Sequence, residues 1–282
     1  MIFDRNEKKD VIALLGAGSM GTAIVRRIAA GRKILLGDIS AENLEKVSTD
    51  FRYSGYDVET MIVNALEKDS IEAFAQKAAA LGDVMYFIDT AGASPNQASP
   101  EQILNLDMVG TGYAVDAFGK VMARGGAGLL ISSQTGYMMP IPFDVESQIL
   151  AASTEELMDI PFIKETATNS GAAYIIAKRV NQLQALKAAA TTWKERRARI
   201  NSLSPGIIVT PLAYDEFAAA GDNYQAMIDA SAAMRTGTID EIAEAGAFLL
   251  GEHAGFINGT DLLIDGGTIA SMRSGVYSIN VQ

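Results

Sequence analysis

Cysteine is absent from the 282 residues, which excludes a disulfide framework and any thiolate metal site. The single histidine, His253, stands in "GEHAGFING" without nitrogen or sulfur ligands beside it, so no metal centre is expected. No stretch approaches the roughly 18 uninterrupted apolar residues of a membrane span, and the charged start "MIFDRNEKKD" lacks the layout of a signal peptide. A soluble, cytoplasmic protein is the expectation. Dense basic clusters are missing too: the formal charge is -11, and only "KERRAR" (194–199) concentrates cations, which reads as the solvated end of a helix. A nucleic-acid partner is therefore disfavoured.

What remains is ample apolar material, 49% of the chain against 20% charged, enough for one sizeable core. Short β-rich runs at 11–15, 33–37, 60–64, 84–88, 128–132, 199–203 and 261–265 alternate with segments of helical length such as "MGTAIVRRIAA" and "DSIEAFAQKAAAL". Such alternation specifies βαβ units and hence an α/β, doubly wound, Rossmann-type parallel sheet of about seven strands with helices on both faces. No repeat or linker divides the chain, so residues 1–282 read as a single domain. One irregular stretch, 138–171, interrupts the pattern as an insertion.

"LLGAGSMGTAI" sets Gly16, Gly18 and Gly21 in G-x-G-x-x-G order between the first strand and a helix, with Ser19 and Met20 inside the loop. Glycine permits the tight turn and the close backbone approach that a pyrophosphate needs, and the helix start offers free N–H groups. Asp38 ends the second strand, where a carboxylate accepts hydrogen bonds from an adenosine ribose and repels a 2′-phosphate. NAD(H) is expected over NADP(H). A role for Asp38 in the start of the next helix stays open, although Ser40 serves equally as its cap.

In "AYIIAK", Tyr174 and Lys178 stand four residues apart, on one face of a helix and one turn from each other. Ser133 follows the fifth strand, and Pro205, Gly206 and Thr210 follow the sixth. Strand carboxyl ends in open α/β sheets form one crevice, so these groups and the glycine loop converge.

With these motifs, together with "DTAG" (89–92), "DMVGT" (107–111), "ISSQTG" (131–136), "SPGIIVTP" (204–211) and "INGTDLLIDGG" (257–267), the chain resembles the short-chain dehydrogenase/reductase family over essentially its whole length. The resemblance implies that Tyr174 is the general acid for a carbonyl, and the base in the reverse direction. A phenol ordinarily ionises near 10, and the Lys178 ammonium would favour its phenolate while holding the nicotinamide ribose. Ser133, by its distance from Gly136, would hydrogen-bond the carbonyl oxygen. The same resemblance places Thr210 and the Ile208 backbone at the nicotinamide carboxamide, Asn64 and Ala65 at adenine, and Ala91, Gly92, Pro205 and Gly206 along the cofactor.

Three departures from the family pattern stand out. The first loop is tighter than in many relatives. "DTAG" puts Asp89 and Thr90 at sheet-bracing positions usually held by asparagine. Asp107 occupies the place of the family's fourth catalytic residue, an asparagine, and is either a site residue or a helix residue that stabilises a bend.

The 41 positions from Ser133 to Tyr174 exceed the usual spacing. The insertion is expected to wall the substrate site, with a peripheral or intersubunit role as the alternative. Residues 211–237 would form the lid. Both segments are rich in Met, Phe, Tyr and Ala, which favours a bulky apolar ketone, and the finer resemblance is to bacterial hydroxysteroid dehydrogenases of the 20β type. A 3-oxoacyl thioester reductase, a polyol dehydrogenase and a non-catalytic nicotinamide sensor are the alternatives. The family resemblance also implies a homo-oligomer, a tetramer or dimer.

Overall fold

The computed structural model describes residues 9–278, apart from the side chains at positions 212, 215, 216 and 218–220. The first eight and last four residues, including most of the charged N-terminal run and the end of the C-terminal tail, lie outside that description. Seven strands form one parallel sheet in the order β3-β2-β1-β4-β5-β6-β7. They are β1 (Lys9–Leu15), β2 (Lys33–Asp38), β3 (Asp57–Ile62), β4 (Gly82–Asp89), β5 (Met122–Ile131), β6 (Arg199–Pro205) and β7 (Asp261–Ile264).

The seven sequence runs all fall on strands, but β3 begins three residues before the expected 60 and ends at Ile62. The hydrogen bond from the Val63 N–H to the Asp38 carbonyl, at 2.9 Å, is the last of the β2–β3 ladder.

Helices α1 (Ser19–Ile28), α2 (Ala41–Tyr53) and α3 (Lys68–Leu81) follow the first three strands. A short α4 (Pro100–Ile103) runs through a π-helical turn (Leu104–Gly110) into α5 (Thr111–Gly119). The insertion supplies α6 (Phe143–Ala151) and α7 (Pro161–Thr166). Then come α8 (Ser170–Ala190), α9 (Thr192–Glu195), α10 (Pro211–Ala230), α11 (Ile239–Leu250) and α12 (Thr268–Arg273).

Successive strand residues point to opposite faces, so β1 sends Val11, Ala13 and Leu15 one way and Ile12 and Leu14 the other. The first set packs beneath α3, α5 and α8 around Phe74, Phe87, Phe118 and Trp193, where the Phe87 and Phe118 rings stack at 3.8 Å. The second set packs beneath α1, α2 and α11. Because both sheet faces are covered, the inner strands read as continuous apolar runs rather than alternating ones.

A third apolar cluster joins the insertion to the back of α8 and the π-helical turn, with Ile149, Leu157, Ile160 and Ile163 packed against Ile176, Val180 and Leu183. The "KERRAR" reading holds for Lys194, Arg196 and Arg197, which are exposed, but not for Arg199. The Arg199 guanidinium donates to the carbonyls of Leu249, Leu250 and Gly251, closing the last turn of α11. A helix C-terminus presents unpaired carbonyls and a partial negative charge, and a cation satisfies both.

Candidate active site

The strand order reverses between β1 and β4, and the carboxyl ends on either side of that switch point frame a cleft. The three loop glycines do three different jobs there. Gly16 has φ +81°, and a Cβ on it would sit 2.6 Å from the Ala91 nitrogen, so only glycine makes this turn. A Cβ on Gly18 would meet nothing within 4 Å, leaving the backbone open to an approaching ligand. At Gly21 a Cβ would strike Leu14 at 2.7 Å and Thr90 at 2.8 Å, so this glycine lets α1 lie close on the sheet. Turn, approach and packing are what a dinucleotide-binding loop requires of its glycines.

Asp38 is engaged locally. Its carboxylate accepts from the backbone N–H of Ala17 (2.9 Å) and of Ser40 (2.9 Å) and from the Asn43 amide (3.0 Å). Ser40 caps α2, accepting from the Asn43 N–H at 3.1 Å. Asn64 and Ala65 stand just past β3, where the Asn64 side chain shapes a turn by accepting from the Leu66 N–H and donating to Glu67. Gly110 fits against the Ala65 carbonyl, which a Cβ there would approach to 2.5 Å.

Met20, Gly92, Asp107, Ser133, Tyr174 and Lys178 line the cleft on the side of β4, β5 and α8. Pro205, Gly206, Ile208 and Thr210 line it on the side of β6, and Thr210 also caps α10 by accepting from the Ala213 N–H (3.1 Å). Ser132 and Ser133 separate by direction. The buried Ser132 hydroxyl donates to the Lys178 carbonyl at 2.7 Å, tying the end of β5 to α8, whereas Ser133 is only half-buried.

The chemistry-bearing groups meet on α8. The Lys178 ammonium lies 5.2 Å from the centre of the Tyr174 ring and 3.1 Å from Asp107 Oδ2. The other Asp107 oxygen accepts from the Ala93 N–H at 2.8 Å, and its backbone carbonyl accepts from the Asn181 amide at 2.6 Å. Asp107 is therefore far more than a bend residue: it sits in the π-helical turn, fully buried, in contact with the lysine.

Asp89, at the end of β4 beside the cleft-lining Thr90, is a second buried carboxyl, which motif reading left as a brace. It is 3% exposed, one oxygen accepts from the Ala91 N–H (3.0 Å), and the other has no hydrogen-bond partner. Burial pushes its carboxyl up to about 7, against the opposing pull of the Ala91 N–H and the Lys178 ammonium. Burial likewise raises the Asp107 carboxyl, although Lys178 opposes it. For Lys178, burial acts against the ammonium, but Asp107, Tyr174 and Asp89 together outweigh it and raise its pKa.

The cleft also holds groups that no motif signalled. Ser94 Oγ, Gln134 Oε1 and Thr135 Oγ1 are buried, line the cleft and have no hydrogen-bond partner. Such atoms are rare in proteins unless something else satisfies them, and a polar ligand does so. From the expected lid, Ala213, Phe217 and Tyr224 of α10 form the apolar wall, with the two rings edge to face at 5.5 Å.

The insertion packs on α8. Its apolar residues form a buried cluster against α8 on which Tyr174 also packs, while the cleft is lined by other segments. Among the described residues no group of three or more His, Asp or Glu could hold a metal ion, and no helix is long and apolar enough to cross a membrane.

Comparison with known proteins adds the lineage. A family model described as enoyl-(acyl carrier protein) reductase matches residues 150–268. A short-chain dehydrogenase/reductase of Alternaria brassicicola is 36% identical over 93% of this chain and 96% of its own. Galactitol 2-dehydrogenase (L-tagatose-forming) of Cereibacter sphaeroides is 26% identical, over 90% of this chain and 93% of its own. The 7alpha-hydroxysteroid dehydrogenase of Bacteroides fragilis is 25% identical, over 94% and 95%. Among solved structures, a short-chain dehydrogenase/reductase from Serratia marcescens superposes with TM-score 0.73 at 21% identity, covering 93% of this chain and 98% of that one. BdcA in complex with NADPH superposes with TM-score 0.68 at 21% identity, covering 91% and 93%.

Proposed function

Because the chain belongs to the short-chain dehydrogenase/reductase family of oxidoreductases, we propose that it interconverts a ketone and a secondary alcohol on a bulky apolar substrate, probing first for a steroid, with NAD(H) as the redox partner. The observation that carries this reading is the meeting of Ser133, Tyr174 and Lys178 with the glycine loop in one cleft. A bound reduced nicotinamide would supply the hydride.

The chain's own residues do the rest. Tyr174 Oη gives its proton to the carbonyl oxygen, and the Lys178 ammonium one turn away stabilises the phenolate left behind. The Ser133 hydroxyl donates to the same carbonyl oxygen as negative charge grows on it, a form of stabilisation worth several kcal/mol in enzymes generally. Gly16 and Gly18 admit the pyrophosphate, and Thr210 with the Ile208 backbone holds the carboxamide. Asp38 supports NADH, because a 2′-phosphate would face its carboxylate.

Phe217, Tyr224 and Ile208 support an apolar substrate, as does similarity to a hydroxysteroid dehydrogenase. A polyol is the second reading, favoured by the unpartnered Ser94, Gln134 and Thr135 atoms and by similarity to a galactitol dehydrogenase. A homo-oligomer is also part of the proposal. Phe248 at the end of α11 and Phe256 before β7 leave large apolar surfaces exposed near the open sheet edge.

The test is to follow NADH and NADPH oxidation with keto-steroids, 3-oxoacyl thioesters and ketoses. Steroid turnover with NADH supports the full reading. Turnover confined to ketoses moves the assignment to polyols, and a clear preference for NADPH overturns the role given to Asp38.

A further inference from the structure

Helix α8 grips the π-helical turn with one face, at Lys178, Asn181 and Gln184, which recur every third residue. The Lys178 ammonium meets Asp107 Oδ2 at 3.1 Å, the Asn181 amide donates to the Asp107 carbonyl at 2.6 Å, and the Gln184 amide donates to the Met108 carbonyl at 2.8 Å. From beyond the end of β4, the Ala93 N–H donates to the other Asp107 oxygen at 2.8 Å. Gly92 makes room for this carboxylate, because a Cβ there would come within 3.0 Å of Oδ2. Asp107 is fully buried and is held through both its carbonyl and its carboxylate, so the flexible lysine comes to the carboxylate rather than the reverse.

We propose that Asp107 is a positioning residue that pins the Lys178 ammonium beside Tyr174 before any cofactor arrives and, as its fixed counter-charge, keeps the Tyr174 phenol protonated to a higher pH than a lone ammonium would allow. The proposal rests on the reading of Tyr174 as the proton donor. An ammonium carries three N–H donors, and with one spent on Asp107 the others stay free to serve the phenol and a nicotinamide ribose. The phenol then feels an ion pair rather than a bare cation, and the two charges partly cancel at its oxygen. The phenolate is still favoured, but by less. At neutral pH the resting cleft therefore holds its proton ready for a carbonyl.

A buried lysine is ordinarily pressed to shed its charge, and a carboxylate in contact with it opposes that loss. The titratable groups acting on this ammonium are Asp107 from the π-helical turn, Tyr174 from its own helix and Asp89 from β4. Of these, Asp107 makes the ion pair, while the Tyr174 ring centre lies 5.2 Å from the ammonium.

D107N is the variant of choice, because it keeps the side-chain volume and an oxygen for the Ala93 N–H while removing the negative charge. The decisive measurement is the ultraviolet absorbance of tyrosinate in the whole, ligand-free protein across about pH 7 to about pH 11, the range in which a phenol changes state. Subtracting the same titration of Y174F isolates Tyr174, and D107N corrected by D107N/Y174F isolates it in the variant. The expected result is a midpoint about one unit lower in D107N. The inflection of kcat/KM for alcohol oxidation should move down with it. The absorbance readout needs no substrate: full turnover by Y174F would remove the functional reading and leave the shift in place.

A midpoint that stays in place or rises in D107N overturns the proposal. So does a D107N enzyme that is slower at every pH with its inflection unmoved, because that is the mark of a merely structural role. Should D107N fail to fold, NMR of the lysine side-chain ammonium groups in the ligand-free wild type decides the matter. A slowly exchanging ammonium signal that K178R removes supports the pinned lysine, and a wild-type spectrum without one overturns it.

Discussion

Replacing Asp89 by asparagine removes a buried ionisable group while keeping an oxygen to accept the Ala91 N–H, so it isolates the cost of the charge. The wild-type carboxyl ionises at about 7 in the folded protein and near 4 in an unfolded chain. A raised carboxyl contributes stability that is fully present below the unfolded value and is lost as pH rises through the folded one. Between those limits the folded state holds a proton that the unfolded state has released, so stability falls by up to about 1.4 kcal/mol per pH unit, roughly 4 kcal/mol in all. Weakening of the charge-assisted bond to Ala91 offsets about 1 kcal/mol of the gain. D89N should therefore match the wild type near pH 5 and exceed it by about 3 kcal/mol near pH 8.5, a rise in Tm on the order of 6 °C for a chain of this size. Thermal or urea unfolding of both proteins at the two pH values checks this, since every other titrating group is shared. A D89N protein less stable than the wild type at the higher pH, or offset equally at both, would refute the assignment of a buried, proton-hungry carboxyl.

Y174F should lose at least about a thousandfold in kcat/KM while NADH still binds, as fluorescence titration would record; retained turnover contradicts a phenol proton donor, and unaltered behaviour throughout would suit a nicotinamide sensor. K178M should lower stability by about 3 kcal/mol at neutral pH and by more at higher pH, because it strands Asp107 and Asp89 together without a cation. Unfolding curves at two pH values test that slope. G16A should lower stability by about 1–3 kcal/mol and abolish cofactor binding, through both the left-handed backbone and the 2.6 Å contact with Ala91, and a protein that binds NADH normally after this change would disprove the turn's role.

The parts of the site legible in sequence are those fixed by local geometry. Tyr174 and Lys178 share a helix face because of helix pitch alone, and the spacing of Gly16, Gly18 and Gly21 encodes a turn. Strand runs were visible because a sheet covered on both faces needs continuous apolar segments. Asp107 was visible as an oddity but not as an ion-pair partner, since its contact with Lys178 depends on the π-helical turn that rotates its carboxylate toward α8. Asp89 showed even less, because burial rather than residue type gives it its chemistry. The packing of the insertion was hidden for a related reason: Ile149, Leu157 and Ile160 declare an apolar face, but sequence does not say which residues of α8 receive it.

The hydrogen bond from Ser132 to the Lys178 carbonyl acts as a clasp across the base of that excursion. It ties the end of β5, which Ser133 follows, to the helix that carries Tyr174. The segment is coupled to the reacting groups, because its apolar cluster packs against Tyr174 as well as against Ile176 and Val180. For an engineer, a loop grafted into 138–171 must keep Ile149, Leu157, Ile160 and Ile163, or the face of α8 that carries Tyr174 loses its support.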